Sequence, residues 1–411
     1  MSSWDEKLVK LEGFDEVLHA VVQKSRQRPQ LLFQPAGGSE VHLHWILQRS
    51  GWIKSEIQRS LKQGGELLSP VRLTRIKAGK WREIYINNWP DRILLMIVAR
   101  LLNQALEQQW SHRLYSFRKG WGSHKALEDL SQHFRQTSGP LYVLKRDVSQ
   151  YGDSISRALL MKRLSSEPSL RGGELLLKLV DQALRSEVSA ESTYCLHRGI
   201  PSGSPLVPVL ENYYLLPLDR RLIEEAQFYG RYGDDFVAVC SSSAQALRCE
   251  ERIAEILSEL ELKTKPEKHL NRTLSGATDG FVWLGRWVDR AGRLGPKTER
   301  LSAVMVDLKR QINGLVMRSR LVSSPELQKK MLRRGIKQLL DASQSSELGR
   351  VYLESESPKL KQDIRDYALR TFVMAIQSAY RLRRRQAWRW LRLTGFHRME
   401  TTDGGATDEA A

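Results

Sequence analysis

Apolar residues recur at mixed helical spacing through Leu8, Leu11, Phe14, Val17, Leu18 and Val21, and the pattern stops near Pro29. Residues 1–35 therefore read as helical, and the period returns after the Gly37-Gly38 break, from His42 to Leu61. It then drops to two. Val71-Arg-Leu-Thr-Arg-Ile and Trp81-Arg-Glu-Ile-Tyr-Ile flank Lys77-Ala-Gly-Lys, which predicts a β-hairpin with Ala78-Gly79 near its tip. Asp91 to Gln109 predicts a strongly apolar helix, and Leu141-Tyr-Val-Leu-Lys-Arg-Asp a short buried strand that ends on a carboxylate. The middle third alternates: helices over Leu175–Leu184, Ser204–Leu216 and Ser243–Leu262, a hairpin over Phe228–Val239 turning at Gly233-Asp234-Asp235, and a strand from Phe281 to Val288. Beyond about residue 298 the pattern is helical and very basic, over 299–320, 325–342 and 357–393. The polar, small residues Thr401–Ala411 read as a disordered tail.

The expectation is a mixed α/β (α+β) body followed by an all-helical basic appendage. With 411 residues the chain can bury a substantial core, and 41% hydrophobic with 27% charged residues excludes a wholly disordered or fibrous chain. A net charge of +18 points to a polyanionic partner, nucleic acid or an anionic membrane surface. The longest pure apolar run, Ile93 to Ala99, is far short of the roughly 20 residues of a membrane span, and Met1-Ser-Ser-Trp-Asp-Glu-Lys does not read as a signal peptide. Cys195, Cys240 and Cys249 have no metal-ligand spacing. A cytoplasmic, nucleic-acid-handling protein is expected, with no membrane partner.

The candidate chemistry lies in carboxylates. Asp147 ends a strand, and Asp234-Asp235 stand at a hairpin turn. Adjacent carboxylates repel unless cations share them, and their hard oxygens suit Mg²⁺. Two such ions about 4 Å apart can activate an attacking hydroxyl and stabilise a leaving pyrophosphate. Asp-Asp is also ordinary turn chemistry, so the pair alone decides nothing.

The surrounding residues narrow the choice. Arg231-Tyr-Gly-Asp-Asp-Phe-Val-Ala-Val resembles the palm hairpin of reverse transcriptases, and Asp147-Val-Ser-Gln-Tyr-Gly-Asp-Ser-Ile resembles the first palm motif of the group II intron-like lineage. Gly199-Ile-Pro-Ser-Gly-Ser-Pro-Leu-Val-Pro-Val-Leu-Glu-Asn-Tyr-Tyr-Leu is similar to the family's template-positioning motif. Lys77-Ala-Gly-Lys-Trp-Arg-Glu-Ile with Pro90-Asp-Arg-Ile resembles the fingers, and Tyr115-Ser-Phe-Arg-Lys-Gly-Trp-Gly-Ser-His-Lys-Ala-Leu the next block. Lys265-Pro-Glu-Lys268 and Phe281-Val-Trp-Leu-Gly285 resemble the last palm motifs. All stand in family order over roughly residues 70–290.

That resemblance implies a right-hand polymerase fold: N-terminal helices and fingers over 1–140, palm over 141–297, helical basic thumb over 298–400, and the tail 401–411. It implies an RNA-directed DNA polymerase in which Asp147, Asp234 and Asp235, with the carbonyl of Val148, hold two Mg²⁺ (Mn²⁺ as a substitute), while Lys268 protonates pyrophosphate. Lys263 and Lys265 lie close enough to compete for that last role, and Asp153 reads as structural. Lys77 and Arg82 would clamp the nucleotide triphosphate, Arg118 and Gly203 would belong to the nucleotide and template region, and Tyr151 would bar a ribose 2′-hydroxyl. The run Arg383, Arg384, Arg385, Trp388 and Arg389 suits phosphate binding with base stacking, with a solvated helix face as the plain alternative.

Three residues depart from the family pattern: Gly152 for an aromatic, Ser202 for Gln and Val207 for Ser. An RNA-directed RNA polymerase would need Thr near 207 and Asn near 211, where this chain has Val207 and Glu211. A non-catalytic RNA-binding protein on a polymerase scaffold is the other alternative, and the three aspartates argue against it. By elimination of intron-endonuclease, retron and diversity-generating signatures, the chain resembles a free-standing bacterial reverse transcriptase of the anti-phage defence type. The expected partners are then an RNA template, with a dedicated noncoding RNA as one form of it, deoxynucleotides, the DNA product, and a partner protein or a second copy of the chain.

Overall fold

A computed structural model describes residues 3–27, 32, 41–64, 67–78, 80–185, 198–296, 298–340 and 358–393; the expected tail 401–411 lies outside the described residues. The chain forms two compact units, residues 1–126 with 139–273, and residues 127–138 with 274–411. The mixed helix-and-sheet class expected from the sequence is the one observed.

The first unit opens with α1 (Trp4–Val9) and α2 (Phe14–Gln27), then α3 (Leu43–Gln48) and α4 (Ser50–Gln63). The single helical stretch expected over 1–35 is broken because Leu11 and Gly13 adopt positive φ, +51° and +88°. Strands β1 (Arg72–Ala78) and β2 (Lys80–Ile86) form a two-stranded antiparallel sheet in which Ala78 faces Lys80 and Lys77 faces Trp81. Lys77 is therefore a strand residue and not part of the turn. Helix α5 (Trp89–Leu106) starts where Asn88 caps it, its side-chain oxygen accepting from the Asp91 amide at 2.8 Å, with Pro90 in the first turn. Its apolar residues, Ile93, Ile97, Val98, Leu101 and Leu102 among them, are fully buried in the unit's core.

After α6 (Ser123–Gln136) comes β3 (Leu141–Asp147), then α7 (Tyr151–Ser154), α8 (Arg157–Ser165), α9 (Glu174–Arg185), α10 (Val207–Tyr214) and α11 (Leu216–Glu225). Strands β4 (Phe228–Tyr232) and β5 (Asp235–Cys240) form the expected hairpin, followed by α12 (Ser243–Glu259) and β6 (Leu270–Leu274). The sheet order is β4-β5-β3-β6, with β5 antiparallel to both β4 and β3. The near-continuous burial of β3 and β5 explains why they read as apolar runs rather than as alternating strands.

The second unit holds the three-stranded antiparallel sheet β7 (Gly280–Trp283), β8 (Arg286–Asp289) and β9 (Leu294–Pro296). Phe281 to Val288 was expected as one strand. It is instead a hairpin, turning at Leu284 and Gly285, both at positive φ (+49° and +78°) as a two-residue hairpin loop requires. Helices α13 (Thr298–Arg320), α14 (Pro325–Leu340), Pro358–Tyr380 and Arg384–Leu393 share a separate core around Ile312, Leu332, Phe372, Ile376 and Leu391. The last two are separate helices because Arg381 has φ +53°. Among the described residues, no helix is long and apolar enough to cross a membrane.

Candidate active site

The β3–β5 register places Asp147 directly opposite Asp235, and Asp235 also pairs with Tyr232 on β4. The loop of the β4–β5 hairpin is thus only Gly233 and Asp234, and Gly233 supplies the positive φ, +64°, without a Cβ penalty. The sequence puts both hairpin carboxylates in the turn; the structure moves Asp235 onto the strand. The Val148 amide donates to the Asp234 carbonyl at 3.2 Å, which ties the end of β3 to that loop.

Like charges facing across a sheet are unfavourable, and the neighbouring cations answer the three carboxylates unequally. Asp147 takes an ion pair from Lys265 and another from Lys268 at 2.6 Å. Burial raises its pKa, but those two lysines overcome the effect and hold it below the ordinary value, while the hydrogen bond to Asp147 raises that of Lys268. Asp235 has Lys145 at 3.6 Å, two residues along β3 from Asp147 and hence on the same face. Its Oδ1 is nevertheless buried without a hydrogen bond, and burial, then Asp147 and Asp234 against Lys145, push its carboxyl up to about 6. Burial and the Asp147 charge likewise raise Asp234. The three cations are unevenly shared, two on Asp147 and one on Asp235, and one oxygen of Asp235 stays buried without a partner. Hard oxygen donors in this condition fit Mg²⁺, although among the described residues no three His, Cys, Asp or Glu side chains already converge as a closed metal cage.

Backbone pairing explains why both lysines reach Asp147. The Ser149 amide donates to the Lys263 carbonyl at 2.7 Å and the Lys265 amide to the Asp147 carbonyl at 2.9 Å. Lys263 thus contributes backbone, while Lys265 joins Lys268 on the carboxylate; the spacing alone left that choice open.

Two further sets of contacts support the site. Arg231, completely buried, pairs with the equally buried Asp219, its Nε donating to Oδ1 at 2.6 Å, and Tyr229 donates to the same oxygen at 2.8 Å. Arg231 Nη1 also donates to the Gly233 carbonyl at 3.1 Å and so braces the loop that carries Asp234. The last four carbonyls of α10, orphaned by the helix geometry, each receive a side-chain donor: Tyr151 on Glu211, Arg231 on Asn212, and Arg163 on both Tyr213 and Tyr214. An arginine inside an apolar strand was the only sequence signal for this bracing.

The remaining candidates fall in several places. Tyr151 is buried at 5% exposure, its ring in the core and its hydroxyl on α10. Gly203 has φ +99°, and an added Cβ would stand 2.8 Å from both Ile84 Cγ2 and the Tyr85 carbonyl oxygen; the Tyr85 amide donates to the Ser202 carbonyl at 2.7 Å. Arg118 donates to the carbonyls of Ser111 (2.6 Å) and Leu114 (3.1 Å) and lies over the Trp121 ring. Gly203 and Arg118 both line a groove of about 720 Å³, together with Lys24, Arg92, Lys119 and the exposed Phe117. Asp153 packs its backbone against Gly199, where a Cβ would come within 2.7 Å. The side chains of Lys77 and Arg82 lie outside the described residues. In the second unit Arg383, Arg384, Arg385 and Arg389 are exposed, whereas Trp388 is half-buried against the helical core.

The reverse transcriptase (RNA-dependent DNA polymerase) family matches residues 62–288, more than half of the chain. The group II intron-encoded protein LtrA of Lactococcus lactis subsp. cremoris is 25% identical over 176 residues, 42% of this chain and 28% of that protein. An uncharacterized 91 kDa protein in the cob intron of Schizosaccharomyces pombe is 27% identical over 168 residues, 40% and 20% of the two chains. The chain therefore spans less than a third of the length of these curated relatives. Among solved structures, telomerase from Candida albicans, in complex with a fragment of telomeric RNA, superposes with a TM-score of 0.47 at 12% identity, covering 90% of this chain and 69% of that one. With its palm motifs in order on the strands and loops just described, the chain belongs to the reverse transcriptase family, in its group II intron-like branch.

Proposed function

We propose that the protein is an RNA-directed DNA polymerase that joins deoxynucleotides at Asp147, Asp234 and Asp235. The observation that carries this reading is the buried, unpartnered oxygen of Asp235 beside Asp147 and Asp234, with burial and mutual repulsion raising both hairpin carboxyls. Asp147, Asp234, Asp235 and the Val148 carbonyl would hold two Mg²⁺, with Mn²⁺ as a substitute, and bound metal supplies charge neutralisation and activation of the attacking hydroxyl. The protein's own groups do the rest. Lys265 and Lys268 would give up the Asp147 carboxylate to a bound ion, and Lys268, which stands 2.6 Å from it, would be the group that gives its proton to departing pyrophosphate.

Lys77 and Arg82 on the β1–β2 hairpin clamp the triphosphate, and the groove lined by Arg118 and Gly203 receives the template. Tyr151, with its ring in the core, bears on the sugar only from behind, and the basic helices of the second unit act as a thumb on the duplex through Arg383, Arg384, Arg385 and Arg389. In this reading the template is RNA, and the narrower biological role is copying a dedicated noncoding RNA in bacterial anti-phage defence. The experiment is Mg²⁺-dependent primer extension on an RNA template with wild type, Asp147→Ala and Asp234→Ala. Extension by wild type and its loss, by at least about a hundredfold, in folded variants is expected, since the metal clamp stabilises the transition state itself. A folded Asp147→Ala chain that extends like wild type refutes the mechanism. Sequencing the nucleic acid that copurifies tests the noncoding-RNA role: one enriched transcript supports it, and a random RNA sample removes it.

A further inference from the structure

Tyr151 faces the core, so the residue that fronts solvent one position further along is Gly152. Glycine here is not forced by the backbone, which has no positive φ at this position. What an added Cβ would meet is a single atom, Glu211 Oε1 at 2.9 Å. The space an ordinary side chain would fill is occupied by a carboxyl reaching over from α10. Glu211 is only partly exposed, and among the described residues its carboxyl has no hydrogen-bond or ion-pair partner. It lies close enough to Asp234 to feel that charge. Neither oxygen of this carboxyl is sealed from solvent, so it is open to accept from a ligand hydroxyl in place of water.

The three aspartates fix where the phosphates of an incoming nucleotide lie, and its sugar must follow within a few ångströms. Gly152, in α7 just after β3, and Glu211, in α10, are both partly open, and Glu211 feels the Asp234 charge. We propose that Glu211 reads the sugar of the incoming nucleotide, accepting a hydrogen bond from a ribose hydroxyl across the space that Gly152 leaves open. The assignment rests on the polymerase reading above and adds a specificity-determining residue to it. Its consequence is that wild type accepts ribonucleotides to a measurable degree, because the site rewards the 2′-hydroxyl that an aromatic ring at 152 would exclude.

The test is single-nucleotide extension with matched deoxy- and ribonucleotides, read as the ratio of kcat/KM values (ribo over deoxy). Glu211→Ala should lower that ratio about tenfold or more, as loss of a hydrogen bond to a carboxylate does. Glu211→Gln, which keeps an acceptor oxygen, should recover part of it. Gly152→Ala keeps the carboxyl but displaces it, and should also lower the ratio; thermal melting of each variant shows that the fold is intact. A ratio unmoved in folded Glu211→Ala, or ribo- and deoxynucleotide use falling together, overturns the assignment while leaving the polymerase standing. A wild type that extends with neither nucleotide overturns the polymerase reading itself.

Discussion

Glu211 carries a pH dependence of its own. Burial first, and the Asp234 charge second, push its carboxyl from 4.5 up to about 7 in the folded chain. At about pH 8 it is ionised in both folded and unfolded states, and the folded state bears the burial cost. As pH falls through 7 the folded chain takes up the proton before the unfolded chain does, so stability from this group rises towards 4.5 and then levels off. Glu211→Gln removes the cost. The variant should be more stable than wild type by about 1–3 kcal/mol near pH 8, and the gap should close by about pH 4.5. Denaturant midpoints of both chains across that range check it, and a constant gap would place the carboxyl in water. The aspartates are readable in the sequence because each stands in a short motif, Asp147 at the end of an apolar strand and Asp234-Asp235 at a hairpin turn. The sequence hides Glu211, whose contact with Gly152 joins residues far apart in the chain, and it hides the choice between Lys265 and Lys268, because both sides of one short turn reach Asp147.

At the scale of elements, two junctions hold the site. Asp219 and Arg231 are both 0% exposed, so removing one partner leaves a charge in a dry interior. Asp219→Leu should destabilise the chain by about 3–5 kcal/mol, measured by urea unfolding, whereas replacing both residues by apolar ones of similar volume should restore much of that loss. The other junction is the close approach of Gly203 to β2. Gly203→Ala introduces a Cβ at 2.8 Å from the Tyr85 carbonyl oxygen on a backbone at φ +99°, which should cost about 1–3 kcal/mol and loosen the Tyr85–Ser202 hydrogen bond. Faster amide exchange at Tyr85 in the variant reads that loosening directly. Strong periodicity made helices such as Trp89–Leu106 and Glu174–Arg185 legible to within a few residues. The β7–β8 turn was not, because Leu284 in a left-handed conformation gives no turn signal, and neither was the break at Leu11.

For the whole molecule, the excess positive charge is the property that sequence alone reads most directly, and the structure gives part of it an address. Arg383, Arg384 and Arg385 are exposed at the start of a helix whose buried side, Ala387 and Leu391, anchors it to the second unit's core. Their replacement by Gln should leave thermal stability within about 0.5 kcal/mol of wild type, since no core contact is touched. If they contact phosphates, the same change should reduce the slope of log affinity for RNA against log salt by up to about three. An unchanged slope assigns the run to solvent. Trp388 is less available for stacking than the bare sequence suggests, because its ring packs partly against that core.

The three side chains on the end of α10 have a consequence for how this chain can be altered. Tyr151, Arg163 and Arg231 come from three different elements and converge on consecutive carbonyls, and Arg231 continues to the loop bearing Asp234. Glu211 and the loop that carries Asp234 are therefore fastened to one short piece of backbone. Mutations made to retune nucleotide choice at 211 and mutations made at 231 should not combine independently: their joint effect on kcat/KM should differ from the sum of the separate effects by more than about 0.5 kcal/mol. Laboratory evolution of such a chain would then find selectivity and turnover inherited together, as one trait rather than two.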